Sequence, residues 1–489
     1  MTGVGRRFVE AGFKELKPVI NVGGRPILEH VLNMFSTAEK TVCIVSSEHE
    51  QKEILIAEIL RIRPQATICE IPAHKFGPGY AISQASNYIH KELPTIVSYC
   101  DWAGIWNVEN MLQQLNEYSG SILTYTGFHP HMLRSNKFAY VKKSDNLVTD
   151  IQEKSPFTTN PMQEEASSGC YGFSSGALLL ESLATQIENS DELNGEFYIS
   201  LTYKSMLKNS LKVGTVLMDK FFQWGTPEDL KDWEYWIKTI SSFPGTCEAS
   251  MQVNNVILAA GNGKRIADFA KKSKPNLIIA GQKLWEYSSP RGLAFDSSVV
   301  VSRAEVGVVR RKDVEVLNIP EVTEGQAITA RIGIESIKAD SILPVNVLSS
   351  DNAFTPENFF TAHSLSKQCD LVVWTSKNYP VAQLNPDQYS WINLKEKSVI
   401  YKRSPESNGN WELITGNFTF SNRHTAIQLI EELILKKIRV NNEFYLDSVI
   451  DLAFKNNLLV QTFEINNFIA VGTPEELLTY AYFEELIQK

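Results

Sequence analysis

The sequence predicts an α/β protein built as two tandem Rossmann-like domains, each with a mostly parallel mixed sheet flanked by helices. Three observations lead to this class. Five short landmarks of the first half return in the same order in the second half, the length of 489 residues suits two cores rather than one, and short apolar runs alternate with amphipathic runs. We therefore expect a duplicated domain rather than a solenoid, whose period would be roughly 20 to 50 residues.

Each landmark is a short motif with a later counterpart. The pairs are Gly3-Val-Gly5-Arg-Arg7 with Gly261-Asn-Gly263-Lys-Arg265, Lys17-Pro18 with Lys274-Pro275, Asp101 with Asp351, Asn194-Gly-Glu196-Phe-Tyr198 with Asn441-Asn-Glu443-Phe-Tyr445, and Gly225-Thr-Pro-Glu228 with Gly472-Thr-Pro-Glu475. The offset between partners never increases along the chain, as small deletions in the second copy would produce. The predicted domains are 1–245 and 252–489, with a linker rich in turn-forming residues at 241–251.

The apolar periodicity predicts the elements of successive β-α-β units. In the first half, strands are predicted at 41–46, 66–71 and 95–99, and helices at 26–35, 49–61 and 80–89. In the second half, strands are predicted at 255–259 and 344–348, with a helix near 327–337.

Composition limits the classes of partner. Apolar residues make up 43% and charged residues 21%, as in ordinary globular proteins, and no stretch approaches the roughly 18 apolar residues of a membrane span. A net charge of -9 disfavours nucleic acid as a partner. The six cysteines form no C-x-x-C pair, and no apolar signal segment opens the sequence, so we expect a cytoplasmic protein without a membrane partner.

Two of the landmarks have a chemical use if the ligand is a nucleoside triphosphate. A glycine-rich turn such as Gly261 to Gly263 lets backbone N–H groups approach phosphate, and Arg265 beyond it can bind phosphate oxygens. A tight turn alone is the alternative. Asp101 and Asp351 each follow an apolar strand, where open α/β sheets bind ligands, and their expected task is to hold Mg²⁺. A helix cap is the alternative there.

These residues resemble the opening signature of the sugar-phosphate nucleotidyltransferases, the pyrophosphorylases that make nucleotide sugars. That signature is an apolar strand, then Leu-Ala-Ala-Gly-x-Gly-x-Arg, then Lys-Pro. The segment from Val256 to Arg265 with Lys274-Pro275 resembles it nearly letter for letter, and 1–8 with Lys17-Pro18 resembles it in the first copy. The resemblance implies two GT-A-like nucleotidyltransferase domains.

The resemblance also implies a reaction and its residues. A phosphomonoester oxygen would attack the α-phosphorus of a nucleoside triphosphate, and pyrophosphate would leave. The implied catalytic residues are Arg7 and Lys17 on the triphosphate, Asp101 on the metal and Lys154 on the acceptor. The implied substrate contacts are Gly3, Gly5, Glu153, Gly169, Gly261, Gly263, Arg265, Lys274 and the base-reading Gln326, and the implied metal ligands are Asp101 and Asp351.

The implied cofactor is Mg²⁺, and the implied partners are a nucleoside triphosphate and a sugar 1-phosphate or similar phosphomonoester. Self-association of the chain stays open. Three segments, Tyr99-Cys-Asp101, Gly127 to His131 and Gln223-Trp-Gly, resemble a branch associated with capsule or lipopolysaccharide, so precursor synthesis for such polysaccharides is expected.

Three departures from the signature distinguish the two copies. The first copy begins in the glycine loop without the preceding strand of about six residues, which predicts either an upstream start or an impaired copy. The second copy carries Lys402-Arg403 where the first has Glu153-Lys154, which predicts an altered acceptor site. A second metal-ligating Asp of the family is replaced by Gln223 in the first copy and by Ala470 in the second, which favours catalysis in the first and a structural or regulatory role for the second.

Two other classes stay open. A GT-A glycosyltransferase would normally carry a D-x-D metal motif, which neither Asp101-Trp-Ala nor Asp351-Asn-Ala supplies. A non-catalytic nucleotide-sugar-binding regulator or scaffold is favoured by Lys402-Arg403 and Ala470.

Overall fold

The structure is a computed structural model of the 489-residue chain. It describes residues 1, 5–243, 247–270, 272–308, 310–337, 342–406, 409–465 and 467–487. The chain forms two compact units, Met1–Glu234 and Tyr235–Lys489. The division falls inside one helix, Pro227–Ser241. The domain bounds 1–245 and 252–489 stay a prediction.

The first unit alternates helices and strands. Its helices are α1 Arg6–Glu10, α2 Ile27–Met34, α3 Lys52–Ile62, α4 Gly77–Gln84, α5 Val108–Leu115, α6 Gly176–Glu188, α7 Ile199–Lys208 and the start of α8 Pro227–Ser241. Its strands are β1 Asn21–Val22, β2 Arg25–Pro26, β3 Val42–Ser46, β4 Thr67–Ile71, β5 Thr95–Ser98, β6 Trp102–Ile105, β7 Gly120–Tyr125, β8 Tyr140–Ser144, β9 Leu147–Gln152, β10 Glu165–Phe173, β11 Val213–Leu217 and β12 Lys220–Gln223.

The main sheet of the first unit is mixed, in the order β5-β10-β7-β11-β9-β8. Strand β10 runs antiparallel to β5, β7 and β8, while β11 runs parallel to β7. The predicted predominance of parallel pairing is therefore wrong for this unit. The physical reason is the long β10, which lies between strands that β-α-β units would have placed side by side.

Strands β3 and β4 form a separate parallel pair. Within the described residues, β3 has a strand partner on one edge. Towards its other edge, the amino group of Met1 donates a hydrogen bond to Ile44 O at 2.8 Å. The helices α2 and α3 cover this pair with apolar side chains such as Leu28 and Ile59, which are almost fully buried.

The second unit has one large mixed sheet. The strands of this unit are β13 Ala249–Ala259, β14 Ile278–Ile279, β15 Gln282–Lys283, β16 Leu293–Ser302, β17 Glu315–Asn318, β18 Val345–Ser349, β19 Asn352–Ala353, β20 Leu371–Ser376, β21 Trp391–Asn393, β22 Ser398–Ile400, β23 Glu412–Phe420, β24 Val460–Glu464 and β25 Ile469–Ala470. All of them belong to the large sheet except the pairs β14-β15 and β19-β25. Its helices are α9 Gln326–Ser336, α10 Glu357–Ser366, α11 Pro380–Leu384, α12 Arg423–Leu435, α13 Val449–Lys455 and α14 Pro474–Ile487.

Strand β13 lies at the centre of this sheet. It pairs in parallel with β16 on one side and with β18 on the other. The predicted strand 255–259 is the carboxyl end of this longer strand, which begins inside the segment predicted as linker. The order β17-β16-β13-β18 is parallel throughout, and β23 then joins β18 and β20 antiparallel to both. The predicted parallel sheet is thus confirmed for one side of the second unit.

Among the described residues, no helix is both long enough and apolar enough to span a bilayer.

Candidate functional site

In the first unit, three landmarks that are distant in sequence meet around Lys17. Pro18 is the second residue of a short 3-10 helix, Lys17–Val19, which fixes the backbone of the lysine. Lys17 Nζ donates to Asp101 Oδ2 at 2.7 Å and to Gly225 O at 2.9 Å. Both side chains are largely covered, at 17% exposure for Lys17 and 30% for Asp101. The cation and the carboxylate thus face a common space at the carboxyl end of β5.

Glu153 and Lys154 follow β9, and Lys154 contacts the landmark at 194–198 while Glu153 contacts Ser200 just beyond it. Glu153 accepts a hydrogen bond from Ser200 Oγ at 2.5 Å. The ammonium of Lys154 donates to the hydroxyl of Tyr198, which donates in turn to Glu196. Burial raises the pKa of Glu153, and the hydrogen bond from Ser200 opposes that rise. Two predicted acceptor residues are therefore held side by side in a half-buried polar pocket.

Gly169 is held against the aromatic residue that precedes Asp101 by two positions. Its φ is +87°, and a Cβ atom at this position would lie 2.8 Å from Tyr99 Cδ2. Tyr99 N donates to Gly169 O at 3.0 Å. Only glycine satisfies both the left-handed backbone and this close approach.

The glycine-rich turn of the first unit is described in part. Gly5 has a left-handed φ of 58° and precedes α1, while Gly3 lies outside the described residues. Arg7 is exposed on α1. Within the described part of the chain, no hydrogen bond or ion pair joins the Arg7 side chain to Asp101 or Lys17.

The second unit places its own lysine and aspartate in the same relation. Lys274 Nζ donates to Asp351 Oδ2 at 2.5 Å, and the hydroxyl of Ser349 also donates to this carboxylate. Burial raises the pKa of Asp351, but Lys274, the hydrogen bond from Ser349 and the charge of Arg265 together outweigh it, so that the pKa lies below its usual value. Val471 N donates to Asp351 O at 3.0 Å, as Trp224 N does to the aspartate of the first unit.

Arg265 approaches the same place from the glycine-rich turn. Gly263, with a φ of 59°, precedes the 3-10 helix that carries Arg265, while Gly261 is exposed at the start of the turn. A methyl group on Gly472 would lie 3.6 Å from Lys274 Nζ and 3.7 Å from Arg265 Nη2. Two cations therefore converge on the Gly-Thr-Pro landmark of this unit.

Gln326 is the first residue of α9 and is exposed. The neighbouring Ala327 N donates to Phe444 O at 3.0 Å, which ties this segment to the landmark at 441–445. In the first unit, Gly79 N donates to Phe197 O at 2.7 Å in the same way. A base-reading role for Gln326 stays a prediction.

The counterpart of Lys154 in the second unit is Lys402. Both are non-glycine residues with positive φ, 58° at Lys154 and 47° at Lys402, and each is the second residue after its strand. The pair that matches Glu153-Lys154 is therefore Tyr401-Lys402. The predicted pairing with Lys402-Arg403 is out of register by one residue, and Arg403 is exposed.

Sequence reasoning missed two polar residues of these pockets. Ser200 and Asp447 each lie two positions after the tyrosine of the Asn-x-Glu-Phe-Tyr landmark. Ser200 contacts Glu153, and Asp447 is buried at 6% exposure. Extending the landmark by two residues would have drawn attention to both.

Two histidines of the first unit lie in its core instead of its polar pocket. His131 is 3.1 Å from the hydroxyl of Tyr125, and His129 is 3.2 Å from Gly127 O. The ring of Phe221 packs against both histidines. Burial lowers the pKa of His129 to about 4 and also lowers the pKa of His131.

The oxygen donors available for a metal ion differ between the units. Among the described residues, no group of three or more His, Cys, Asp or Glu could hold a metal ion. In the first unit, a methyl group on Gly225 would lie 2.3 Å from Gln223 Nε2 and 3.8 Å from Asp101 Oδ2, so an amide and a carboxylate flank this glycine. In the second unit, the corresponding strand pairs Ala470 with Asn352, and Ala470 has no side-chain oxygen.

Comparison with known proteins identifies the family of the first half. The nucleotidyl transferase family matches residues 1–237. Residues 1–237 thus match the nucleotidyl transferases, and this match supports the sugar-phosphate nucleotidyltransferase family for the first half of the chain.

Curated relatives and solved structures are distant. A bifunctional protein GlmU from Clostridioides difficile is 27% identical over 205 residues, covering 40% of this chain and 42% of the relative. A protein of the same name from Methanococcus maripaludis is 24% identical over 269 residues, covering 53% and 59%. The chain thus spans about half the length of these relatives.

Among solved structures, a nucleoside-diphosphate-sugar pyrophosphorylase from Vibrio cholerae is 17% identical with a TM-score of 0.41, covering 47% of this chain and 96% of its own. A UTP-bound UGPase from Acinetobacter baumannii is 19% identical with a TM-score of 0.37, covering 48% and 91%.

Proposed function

We propose that this protein couples a nucleoside triphosphate to a sugar 1-phosphate or similar phosphomonoester with release of pyrophosphate, and that the first unit performs the chemistry. The observation that carries the proposal is the position of Lys17 between Asp101 and Gly225, in the same unit as the Glu153-Lys154 pair. The family match over residues 1–237 supports it.

The proposed reaction requires no protein nucleophile. A phosphate oxygen of the acceptor forms a bond to the α-phosphorus while the bond to the leaving pyrophosphate breaks, so the protein must align the two substrates and neutralise their charge. Lys17, with Arg7 on the preceding helix, would bind the triphosphate. Lys154 would bind the acceptor phosphate, and the Glu153 carboxylate would accept hydrogen bonds from acceptor hydroxyl groups.

A divalent cation fits the first unit better than the second. Asp101 would hold Mg²⁺, and the side-chain amide of Gln223, which lies beside Gly225 as Asp101 does, would add its oxygen after rotation of the amide group. When bound, the ion would neutralise charge that develops on the phosphates. Asp351 is the counterpart ligand in the second unit, but Ala470 adds no oxygen beside it.

For the second unit, we propose a tandem duplicate of the same domain with a regulatory or structural role. The recurrence of the lysine–aspartate pair at Lys274 and Asp351 favours nucleotide binding, with Gln326 near the base. Because Ala470 provides no side-chain oxygen for a metal ion, we propose that this unit does not catalyse the reaction. We further propose that the product is a precursor of capsule or lipopolysaccharide and that it is made in the cytoplasm.

Pyrophosphate release by the full chain tests the function. The chain is incubated with Mg²⁺, each of the four common nucleoside triphosphates, and a panel of sugar 1-phosphates and phosphocholine. We expect release that requires one nucleotide and one acceptor together. Nucleotide binding without release for every pair would favour the non-catalytic regulator.

A further inference from the structure

The second unit contains a polar pocket around Lys402. Lys402 Nζ donates to Gln388 O at 2.8 Å and lies 5.6 Å from the centre of the Tyr445 ring. The aromatic ring and the carbonyl hold the lysine in place without neutralising its charge. The Asp447 side chain is buried two residues beyond Tyr445.

Each unit carries a carboxylate at one of two corresponding positions, but at a different one of the two in each unit. In the first unit, Glu153 after the strand accepts a hydrogen bond from Ser200 near the start of α7. The corresponding positions in the second unit hold Tyr401 and Asp447. The carboxylate that is absent after the strand is therefore present at the position that Ser200 occupies in the first unit, two residues beyond the tyrosine ring that the lysine faces.

Tyr401 is engaged away from this carboxylate. Its hydroxyl donates to Asp451 Oδ2 at 2.6 Å, on the first turn of α13. The hydroxyl of Ser390 and a backbone N–H lie beside the Asp447 carboxylate and act to lower its pKa. An ionised carboxylate offers about four lone-pair sites, so further acceptor capacity remains.

The charges of the pocket influence one another without closing into an ion pair. Burial lowers the pKa of Lys402, and the negative field of Asp447 opposes that change. Burial raises the pKa of Asp447, and Lys402 is the cation that counteracts it. Within the described residues, no salt bridge joins the two groups. Buried charges that do not pair directly are costly unless a ligand or a network satisfies them.

This pocket adjoins the lysine–aspartate pair of the second unit electrostatically. Arg265, Asp351 and Glu476 all contribute to the field at Lys402. The charges of the glycine-rich turn and of Asp351 are therefore close enough to influence Lys402.

We propose that Lys402 and Asp447 form a second acceptor site, which binds a hydroxylated phosphomonoester such as a sugar 1-phosphate. The lysine binds the phosphate, and the Asp447 carboxylate accepts hydrogen bonds from sugar hydroxyl groups in place of Glu153. The inference rests on the proposed function for its ligand class and extends that class to the second unit.

Binding to the full chain tests the site by isothermal titration calorimetry. Glu153→Gln with Lys154→Met removes the first acceptor site, and this background chain is titrated with glucose 1-phosphate, mannose 1-phosphate, N-acetylglucosamine 1-phosphate, phosphocholine and inorganic phosphate. We expect one equivalent of at least one sugar phosphate to bind. Asp447→Asn should then weaken that binding about tenfold while inorganic phosphate changes little, and Lys402→Met should weaken both.

Two further variants separate recognition from folding. Arg403→Met removes an exposed neighbouring cation and should leave binding unchanged. Tyr401→Glu combined with Asp447→Ser returns the carboxylate to its place in the first unit and should restore sugar-phosphate binding that Asp447→Asn loses. If Asp447→Asn does not fold, the double exchange is compared directly with the background chain.

The inference is overturned if no sugar phosphate binds the background chain, if phosphocholine binds more tightly than every sugar phosphate, or if Asp447→Asn weakens inorganic phosphate equally. Pyrophosphate release by the wild-type chain is measured separately. Failure of that assay with retained binding contradicts the proposed reaction and leaves the second site standing.

Discussion

Lys17 and Asp101 form an ion pair of 2.7 Å although 84 positions separate them in the sequence. Lys274 and Asp351 repeat this pair in the second unit, 77 positions apart. The two pairs differ in their surroundings, because Gln223 lies beside Gly225 in the first unit whereas Ala470 occupies the equivalent strand in the second.

Replacing each aspartate in turn by asparagine tests which unit catalyses the reaction. Asp101→Asn should reduce turnover at least about a hundredfold, since it removes the charge expected to hold Mg²⁺. Asp351→Asn should change turnover less than about threefold. Steady-state pyrophosphate release measures both, with thermal unfolding as the control for folding. A large loss in Asp351→Asn with little loss in Asp101→Asn would reverse the assignment.

Loss of the acceptor-side cation should affect the acceptor more than the nucleotide. Lys154→Met should raise the KM for the phosphomonoester about tenfold or more, because a charge-assisted hydrogen bond to phosphate is lost. Lys142→Met is the matched control, since Lys142 is exposed on the preceding strand β8. An equal rise in both KM values would argue against an acceptor role for Lys154.

Gly169 permits a comparison of steric conflict with backbone strain. Gly169→Ala should lower the free energy of unfolding by about 3 kcal/mol, because the new Cβ meets the Tyr99 ring at a left-handed φ. Gly12 has nearly the same φ, +85°, and no atom would lie within 4 Å of a Cβ atom there. Gly12→Ala should therefore lower the free energy of unfolding by only about 1 kcal/mol. Urea unfolding measures both. Equal losses would exclude a steric contribution from Tyr99.

The buried histidines predict a loss of stability in acid. The pKa of His129 falls from 6.5 to about 4 on folding, so the folded state disfavours its protonation. The contribution of neutral His129 to the free energy of unfolding is therefore complete above pH 6.5 and is lost as the pH falls towards 4. His129→Gln should therefore reduce the change in unfolding free energy between pH 7 and pH 4.5 by about 2 kcal/mol. An unchanged pH dependence would show that His129 titrates normally in the folded chain.

Local chemistry made part of the site predictable. Asp101 is predicted from its place after an apolar strand, a signal within a few residues, whereas the role of Lys17 is implied by the resemblance of Lys17-Pro18 to the family signature. The start of α4 at Gly77 was missed because Gly-Pro-Gly is typical of a turn, although Pro78 also suits a first helical turn.

Other features depend on backbone geometry or on distant pairing. The match of Lys402 to Lys154 depends on a positive φ at a lysine, and residue type alone does not indicate it. The antiparallel course of β10 and the contact of Ser200 with Glu153 join segments that are far apart in sequence. Periodicity reports which face of a strand is buried, but not which strand lies beside it.

The position of β13 has a consequence for hydrogen exchange. Successive amides of a strand point to alternate edges, and β13 has a partner on both edges, so its central amides should exchange at similarly slow rates. Strand β3 bonds to β4 through residues such as Cys43 and Val45, while Ile44 faces the edge where Met1 donates to its carbonyl. Exchange along β3 should therefore alternate from residue to residue, and the period of protection would reveal which strands lie inside a sheet and which lie at its margin.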